Sequence, residues 1–341
     1  MVEKKVQVVG YPPDPPQGVF KAKSESGDEA EYLDHPDTES MPTEPGHADE
    51  GIEELMSMFA DEETEIDLTH LRLTTTKYLG LERFANTLRK LCLRQNEIKS
   101  MRSKDFHCLV HLKNLDLYDN QIEHITGLEN CLELELAHLA KCHTLYLVQN
   151  KIAKLRPGDL QMPIAASLRS LELGGNRLHS LEHLDKLLNL EELWVGKNKI
   201  TSLDGIQHLK NLKILSIQSN RLTKLDNLDE LTKLEELYVS HNGITSLSGL
   251  DHNLQLNTLD FGANQVESLQ GVEHLSKMSQ FWGNDNRIQD LNHLDQFLGP
   301  KLMPDLETVY LEGNPGQKAE GANYRRKISL MLHQIDQLDA T

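Results

Sequence analysis

The chain of 341 residues is short of several things, and each shortage closes off a class of function. No stretch of about 18 consecutive apolar residues occurs, so no membrane span is expected. The N-terminal "MVEKKVQVVGYPPDPPQG" has too short an apolar run and too many prolines for a secretory signal. Four cysteines, Cys92, Cys108, Cys131 and Cys142, contain no CxxC pair. Their spacing gives neither a disulfide nor a zinc framework and suits a reducing compartment, the nucleus or cytoplasm. Walker, GxSxG and HExxH motifs are missing, so no enzyme signature is present. "HCLVH" (His107, Cys108, His111) and the His138, Cys142, His143 group have ligand-like spacing. They fall in segments where polar histidine is ordinary, and we expect no metal and no cofactor.

Basic residues are scarce where acids are not. Residues 1–65 hold 18 acids, 4 bases and seven of the twelve prolines, a local charge of −14 in a chain of −18. Such a composition buries too little apolar surface to fold alone. It is expected to be a disordered acidic leader, with "IEELMSMF" (52–59) as a short helix within it.

What is abundant is leucine at fixed intervals. From residue 88 the pattern LxxLxLxxNx(I/L/V) recurs as "LRKLCLRQNEI", "LKNLDLYDNQI", "LRSLELGGNRL", "LEELWVGKNKI", "LKILSIQSNRL", "LEELYVSHNGI" and "LNTLDFGANQV", with weaker copies "CHTLYLVQNKI", "MSQFWGNDNRI" and "LETVYLEGNPG". From Asn176 to Asn286 the asparagine recurs every 22 residues, five times in succession. This is the leucine-rich-repeat signature. It predicts an α/β solenoid, a horseshoe of about 10–11 repeats with a concave parallel sheet and a C-terminal helical cap. The two leucines of LxL point into the stack, the asparagine amide satisfies turning backbone, and the chain returns on the outer side as a short helix or 3₁₀ turn. The domains read as 1–65 leader, 66–298 repeats and 299–341 last repeat and cap. "LTHLRLTTTKY" (68–78) reads as a degenerate first copy with Thr76 in the asparagine place, and 66–87 as the N-terminal cover. Tyr324, Ile328, Leu332 and Ile335 are spaced for a closing helix over 321–338. The interval from Asn120 to Asn150 is 30 residues, as though a strand were missing between two outer segments.

Side chains of a strand alternate, so the residue between the two leucines faces the concave side. That column reads Cys92, Asp116, Tyr146, Glu172, Trp194, Ser216, Tyr238, Asp260, Trp282 and Tyr310. It holds both tryptophans of the chain and three tyrosines. Sister repeats tolerate serine or cysteine there, so the fold does not demand the aromatics. Aromatic side chains ringed by acids on an exposed sheet suit a protein partner. An acidic face argues against nucleic acid. Trp194 and Trp282 lie four repeats apart, about 19 Å at strand spacing, which predicts nearly additive effects of truncating them.

The strings "GKNKITSLDGI", "SIQSNRLTKL", "LYVSHNGITSL", "LETVYLEGNP", "YRRKISLML" and "QIDQLDAT" resemble the leucine-rich-repeat regulatory subunits of protein phosphatase 1, over roughly residues 66–341. The resemblance implies a non-catalytic partner of the phosphatase catalytic subunit, acting in the nucleus and in mitosis, in chromosome segregation. It implies that the concave column holds that subunit, through Tyr146, Glu172, Trp194, Asp260, Trp282 and Tyr310. Tyr238 of the same column and Gln280 complete the candidate partner-binding set. Tyr146 and Trp194 stand where relatives usually carry phenylalanine, and Gln280 where glutamate is expected. The resemblance also implies a further inhibitor subunit on the same phosphatase and an immature, metal-deficient form of the enzyme. Phosphatase regulators often dock through a basic-Val-x-Phe peptide; "KKVQV" (4–8) lacks the phenylalanine. The alternative reading is a generic nuclear repeat scaffold of the splicing-particle or histone-binding type.

Overall fold

The computed structural model describes residues 51–100, 103–106, 108–125, 142–160 and 164–340. One parallel sheet runs through them, its twelve strands ordered as in the chain. They are β1 (Glu65–Asp67), β2 (Lys90–Cys92), β3 (Asn114–Asp116), β4 (Thr144–Tyr146), β5 (Ser170–Glu172), β6 (Glu192–Trp194), β7 (Ile214–Ser216), β8 (Glu236–Tyr238), β9 (Thr258–Asp260), β10 (Gln280–Trp282), β11 (Thr308–Tyr310) and β12 (Gln337–Leu338). This is the leucine-rich-repeat solenoid that the 22-residue period predicts.

The core follows from the spacing. In one repeat Leu193, Val195, Ile200, Leu203, Ile206, Leu209 and Leu212 are all at most 1% exposed. Burying each such side chain stabilises by about 1.5–3 kcal/mol, but only where neighbouring repeats cover it. The asparagines join one repeat to the next. Asn220 donates from Nδ2 to Val195 O of the preceding repeat at 3.0 Å and to its own Ile217 O at 3.1 Å, while its Oδ1 accepts from Ile200 N–H at 2.9 Å. The same three bonds recur at Asn120, Asn150, Asn176, Asn198, Asn242, Asn264, Asn286 and Asn314.

"MSQFWGNDNRI" departs from the template because Gly283 stands where a leucine is usual. A Cβ there would lie 2.3 Å from Cζ of Phe261. The Phe261 ring of the preceding repeat has taken the space and meets Phe281 edge-on at 5.1 Å.

Four expectations need correction. The first repeat begins earlier than 68: β1 is "EID", with Ile66 and Leu68 as the buried pair. Leu71 therefore occupies the asparagine place, and Thr76 lies beyond the turn, buried and donating to Asp105 Oδ2 at 2.5 Å. The N-terminal cover is not 66–87 but the helix α1 (Ile52–Ser57), which buries Ile52 and Met56 against the first repeat. The boundary drawn between 65 and 66 thus runs through β1. At the other end α2 (Tyr324–Met331) stops before residue 338, and the chain returns as β12 beside β11. Finally, the outer segment 201–212 forms no helix. It advances by turns closed by Leu209 N–H to Ile206 O and Leu212 N–H to Leu209 O, both 2.9 Å.

The 30-residue interval carries one strand step. β3 pairs directly with β4, Asp116 opposite Tyr146. Residues 126–141, where the extra length falls, lie outside the described residues, as do His107 and His138.

Candidate functional site: the concave row

Registration of the sheet puts the column in one line. Asp67, Cys92, Asp116, Tyr146, Glu172, Trp194, Ser216, Tyr238, Asp260, Trp282 and Tyr310 are successive partners across eleven parallel strands. All eight sequence-derived candidates lie on this sheet, seven in the row and Gln280 two residues before Trp282 on the same strand. Asp67, opposite Cys92, joins the row although the sequence column begins at Cys92. The degenerate first repeat hides it, and "EIDL", with Ile66 and Leu68 flanking an acid, is the signal that marks it.

Along the C-terminal stretch the aromatics form a continuous stack. Trp194 and Tyr238 lie 6.2 Å apart, centroid to centroid, with planes 22° apart. Tyr238 and Trp282 follow at 6.3 Å and 48°, and Trp282 and Tyr310 at 6.0 Å and 20°. Trp194 and Tyr238 belong to strands two steps apart, as do Tyr238 and Trp282. They meet because the intervening side chains, Ser216 and Asp260, are short, and the rings close over them. Ser216 is 4% exposed and Asp260 8%. Tyr238 donates its hydroxyl to Glu236 Oε2 at 2.7 Å, and Tyr310 accepts from Gln337 Nε2 at 2.8 Å. Burial and the Glu236 bond both push the Tyr238 phenol up.

This geometry changes two expectations. Trp194 and Trp282 are not independent, because Tyr238 touches both. Asp260 is not a free charge on the face. It accepts from Gln218 Nε2 at 2.8 Å and from Gly262 N–H at 3.1 Å beneath the rings. Gln280 is half-buried, with Nε2 3.3 Å from Ser279 Oγ.

The other stretch of the row is a carboxylate cluster around one phenol. Tyr146 lies between Asp116 and Glu172 in register. Burial, then Asp116 and Glu192, raise the Glu172 carboxyl to about 7, with Arg94 opposing. Desolvation also lifts Asp116 and Tyr146. Arg94 lies 3.7 Å from Asp116 and stacks 4.5 Å over the Tyr118 ring, so one guanidinium serves the whole cluster loosely. Glu192 accepts from the Ser170 hydroxyl at 2.9 Å. Beyond the cluster, Glu65, Asp67, Lys90, Cys92 and Arg94 line an open hollow of about 410 Å³. No group of three or more His, Cys, Asp or Glu residues suited to a metal exists among the described residues.

Three comparisons bear on what this face belongs to. The family described as Leucine Rich repeats (2 copies) matches in overlapping windows over residues 166–208, 188–230, 210–252 and 232–277. The chain is 33% identical over 169 residues to the Protein phosphatase 1 regulatory inhibitor subunit PPP1R7 homolog of Arabidopsis thaliana, covering 43% of this chain and 50% of that protein. It is 43% identical over 105 residues to the Protein phosphatase 1 regulatory subunit SDS22 of Saccharomyces cerevisiae, covering 30% and 28%. The chain thus spans half or less of the length of these curated relatives. Among solved structures, an internalin (inlF) of Listeria monocytogenes matches with a TM-score of 0.59 at 20% identity, over 89% of this chain and 99% of that one, a likeness of fold alone. The chain has the leucine-rich-repeat fold, and the curated relatives it resembles are named as regulatory subunits of protein phosphatase 1.

Proposed function

We propose that the chain is a non-catalytic regulatory subunit that binds the catalytic subunit of Ser/Thr protein phosphatase 1 through the concave row, controlling its maturation, localisation and activity in the nucleus and in mitosis. The observation that carries the proposal is the half-buried stack from Trp194 to Tyr310. Four large rings on the open face of a sheet whose core is already filled form a preorganised apolar strip, the kind of surface on which interface energy concentrates. The names of the relatives supply the partner. The carboxylate cluster beside the strip suits a partner that brings basic side chains to that stretch. A further inhibitor subunit on the same phosphatase belongs to this reading, as does a distribution between nucleus and cytoplasm.

The direct test is titration of purified phosphatase catalytic subunit with the full chain and with Trp282→Ala. Saturable binding that the substitution weakens supports the proposal. Wild-type chain that leaves the phosphatase unbound at micromolar concentration rejects it, and a tagged chain absent from nuclei rejects the nuclear role.

A further inference from the structure

The two rims of the sheet treat charge differently. On the rim where strands begin, charges alternate between repeats and pair. Glu191 lies 3.6 Å from Arg169 and 2.7 Å from Lys213. On the rim beyond the asparagines, four consecutive repeats present cations with no such partners. Lys151, Arg177, Lys199 and Arg221 each follow a ladder asparagine. Their backbones are stacked by N–H to O bonds of 2.8–2.9 Å to Ile122, Ile152, Leu178 and Ile200 of the preceding repeats. Lys154 and Lys197 add to the ridge.

None of the six forms an ion pair with a described residue; Lys151 reaches only Gln121 Oε1, at 3.4 Å. No carboxylate occurs in 149–154, 175–180, 197–202 or 219–224. Acids return on the outer side, at Glu182, Asp204 and Asp226, each after a buried leucine, and Asp226 pairs with Lys224. Along the rim they return at both ends: Asp119 and Glu123 before the ridge, Glu267 and Asp285 after it. In a chain with 53 acids and 35 bases, an acid-free run of this kind is a local inversion of charge. Like charges stacked at repeat spacing repel one another, and the opposite rim shows that the same backbone accommodates alternation.

We propose that this ridge, on the fourth to seventh repeats, binds an extended acidic peptide segment of a partner protein. Three strand steps give a length of about 14 Å, matching four to five extended residues at about 3.3 Å each. Carboxylates along such a segment meet cations at each step; Asp119 and Glu123 bound the ridge on one side, and on the other the cations give out at 241–246, which carries no Lys, Arg, Asp or Glu, before Glu267. A long polyanion such as nucleic acid fits less well. It would run past Asp119 or Glu267 and meet the repulsion of a chain carrying −18. The site is separate from the concave row, and the proposal does not rest on phosphatase binding.

The test is fluorescence anisotropy of fluorescein-labelled hexaglutamate titrated with the full chain at low and at moderate salt. Saturable binding that weakens with salt is expected. Arg177→Glu with Arg221→Glu should weaken it at least tenfold, and the milder Arg177→Gln with Arg221→Gln should give an intermediate loss at an unchanged melting temperature. Lys277→Glu with Lys301→Glu, which alters net charge equally away from the ridge, should stay within twofold. Absence of saturable binding overturns the proposal, as does an equal loss in the control pair. Tighter binding of labelled oligothymidylate than of hexaglutamate also overturns it, in favour of a phosphate-backbone ligand.

Discussion

The concave row is one backbone position repeated, yet its two stretches solve different problems. From Trp194 to Tyr310 the large side chains find one another, because Ser216 and Asp260 leave room for rings to bridge two strand steps. From Asp116 to Glu172 the side chains repel, and Arg94, joined at Asp116 by Lys90 and the Tyr118 N–H, moderates them only in part. The aromatic stretch is therefore settled before any partner arrives, whereas the acidic stretch holds unfavourable energy that a cationic partner would release. A regular sheet sets the spacing; the short residues between the long ones decide whether neighbours cooperate.

Binding should show the contrast most strongly. Truncating Trp282 to alanine should cost about 2 kcal/mol of phosphatase affinity, roughly thirty-fold by calorimetric titration. Combined with Trp194→Ala the loss should be smaller than the sum of the singles, because either truncation already frees Tyr238. Strict additivity would show that the stack does not act as a unit. Stability should distinguish the two tyrosines. Tyr238→Ala loses two ring contacts, each worth about 0.5–1.5 kcal/mol. It should therefore melt below Tyr146→Ala, which loses no ring pair; the reverse order would remove the distinction between the stretches.

The acidic stretch should appear in pH dependence. The Glu172 carboxyl sits at about 7 in the folded chain against an ordinary 4.5. The folded state therefore holds the proton more tightly, so this group favours folding fully below about 4.5 and that contribution is lost as pH rises to about 7. Glu172→Gln should be more stable than the parent above pH 7, by on the order of 1 kcal/mol after allowing for partial exposure. The gain should vanish toward pH 4 in thermal melts, and a constant difference across that range would place the strain elsewhere. The smallest effect is expected at Asp260→Asn, which keeps an acceptor under the rings. Phosphatase affinity should change less than threefold, and a tenfold loss would show the carboxylate to be a direct contact.

Much of this was legible in the letters. Asparagine every 22 residues sets the phase, and alternation within LxL places Trp194, Tyr238, Trp282 and Tyr310 on one face. Where the asparagine was absent the phase was lost: Leu71 in its place hid β1 and with it Asp67. The stack was not legible because alternation says which way a side chain points, not how far a ring leans across a short neighbour. For the same reason Asp260 read as a surface acid although its oxygens are spent on Gln218 and Gly262. The basic ridge is written plainly after four successive asparagines, but it lies outside the column that draws attention.

The end of the sheet has one more consequence. Asp339 adopts a left-handed backbone, φ 55°, while its N–H donates to Val309 O of β11 at 2.9 Å. Its carboxylate then accepts from Leu311 N–H at 2.8 Å and Glu312 N–H at 3.0 Å, one oxygen standing in for the carbonyl of another rung. The last rung, β12, is only two residues long, too short to hold itself by strand pairing alone. A side chain extends its grip by two more bonds, so that the final rung is fastened like a clasp, main chain on one tooth and carboxylate on the next.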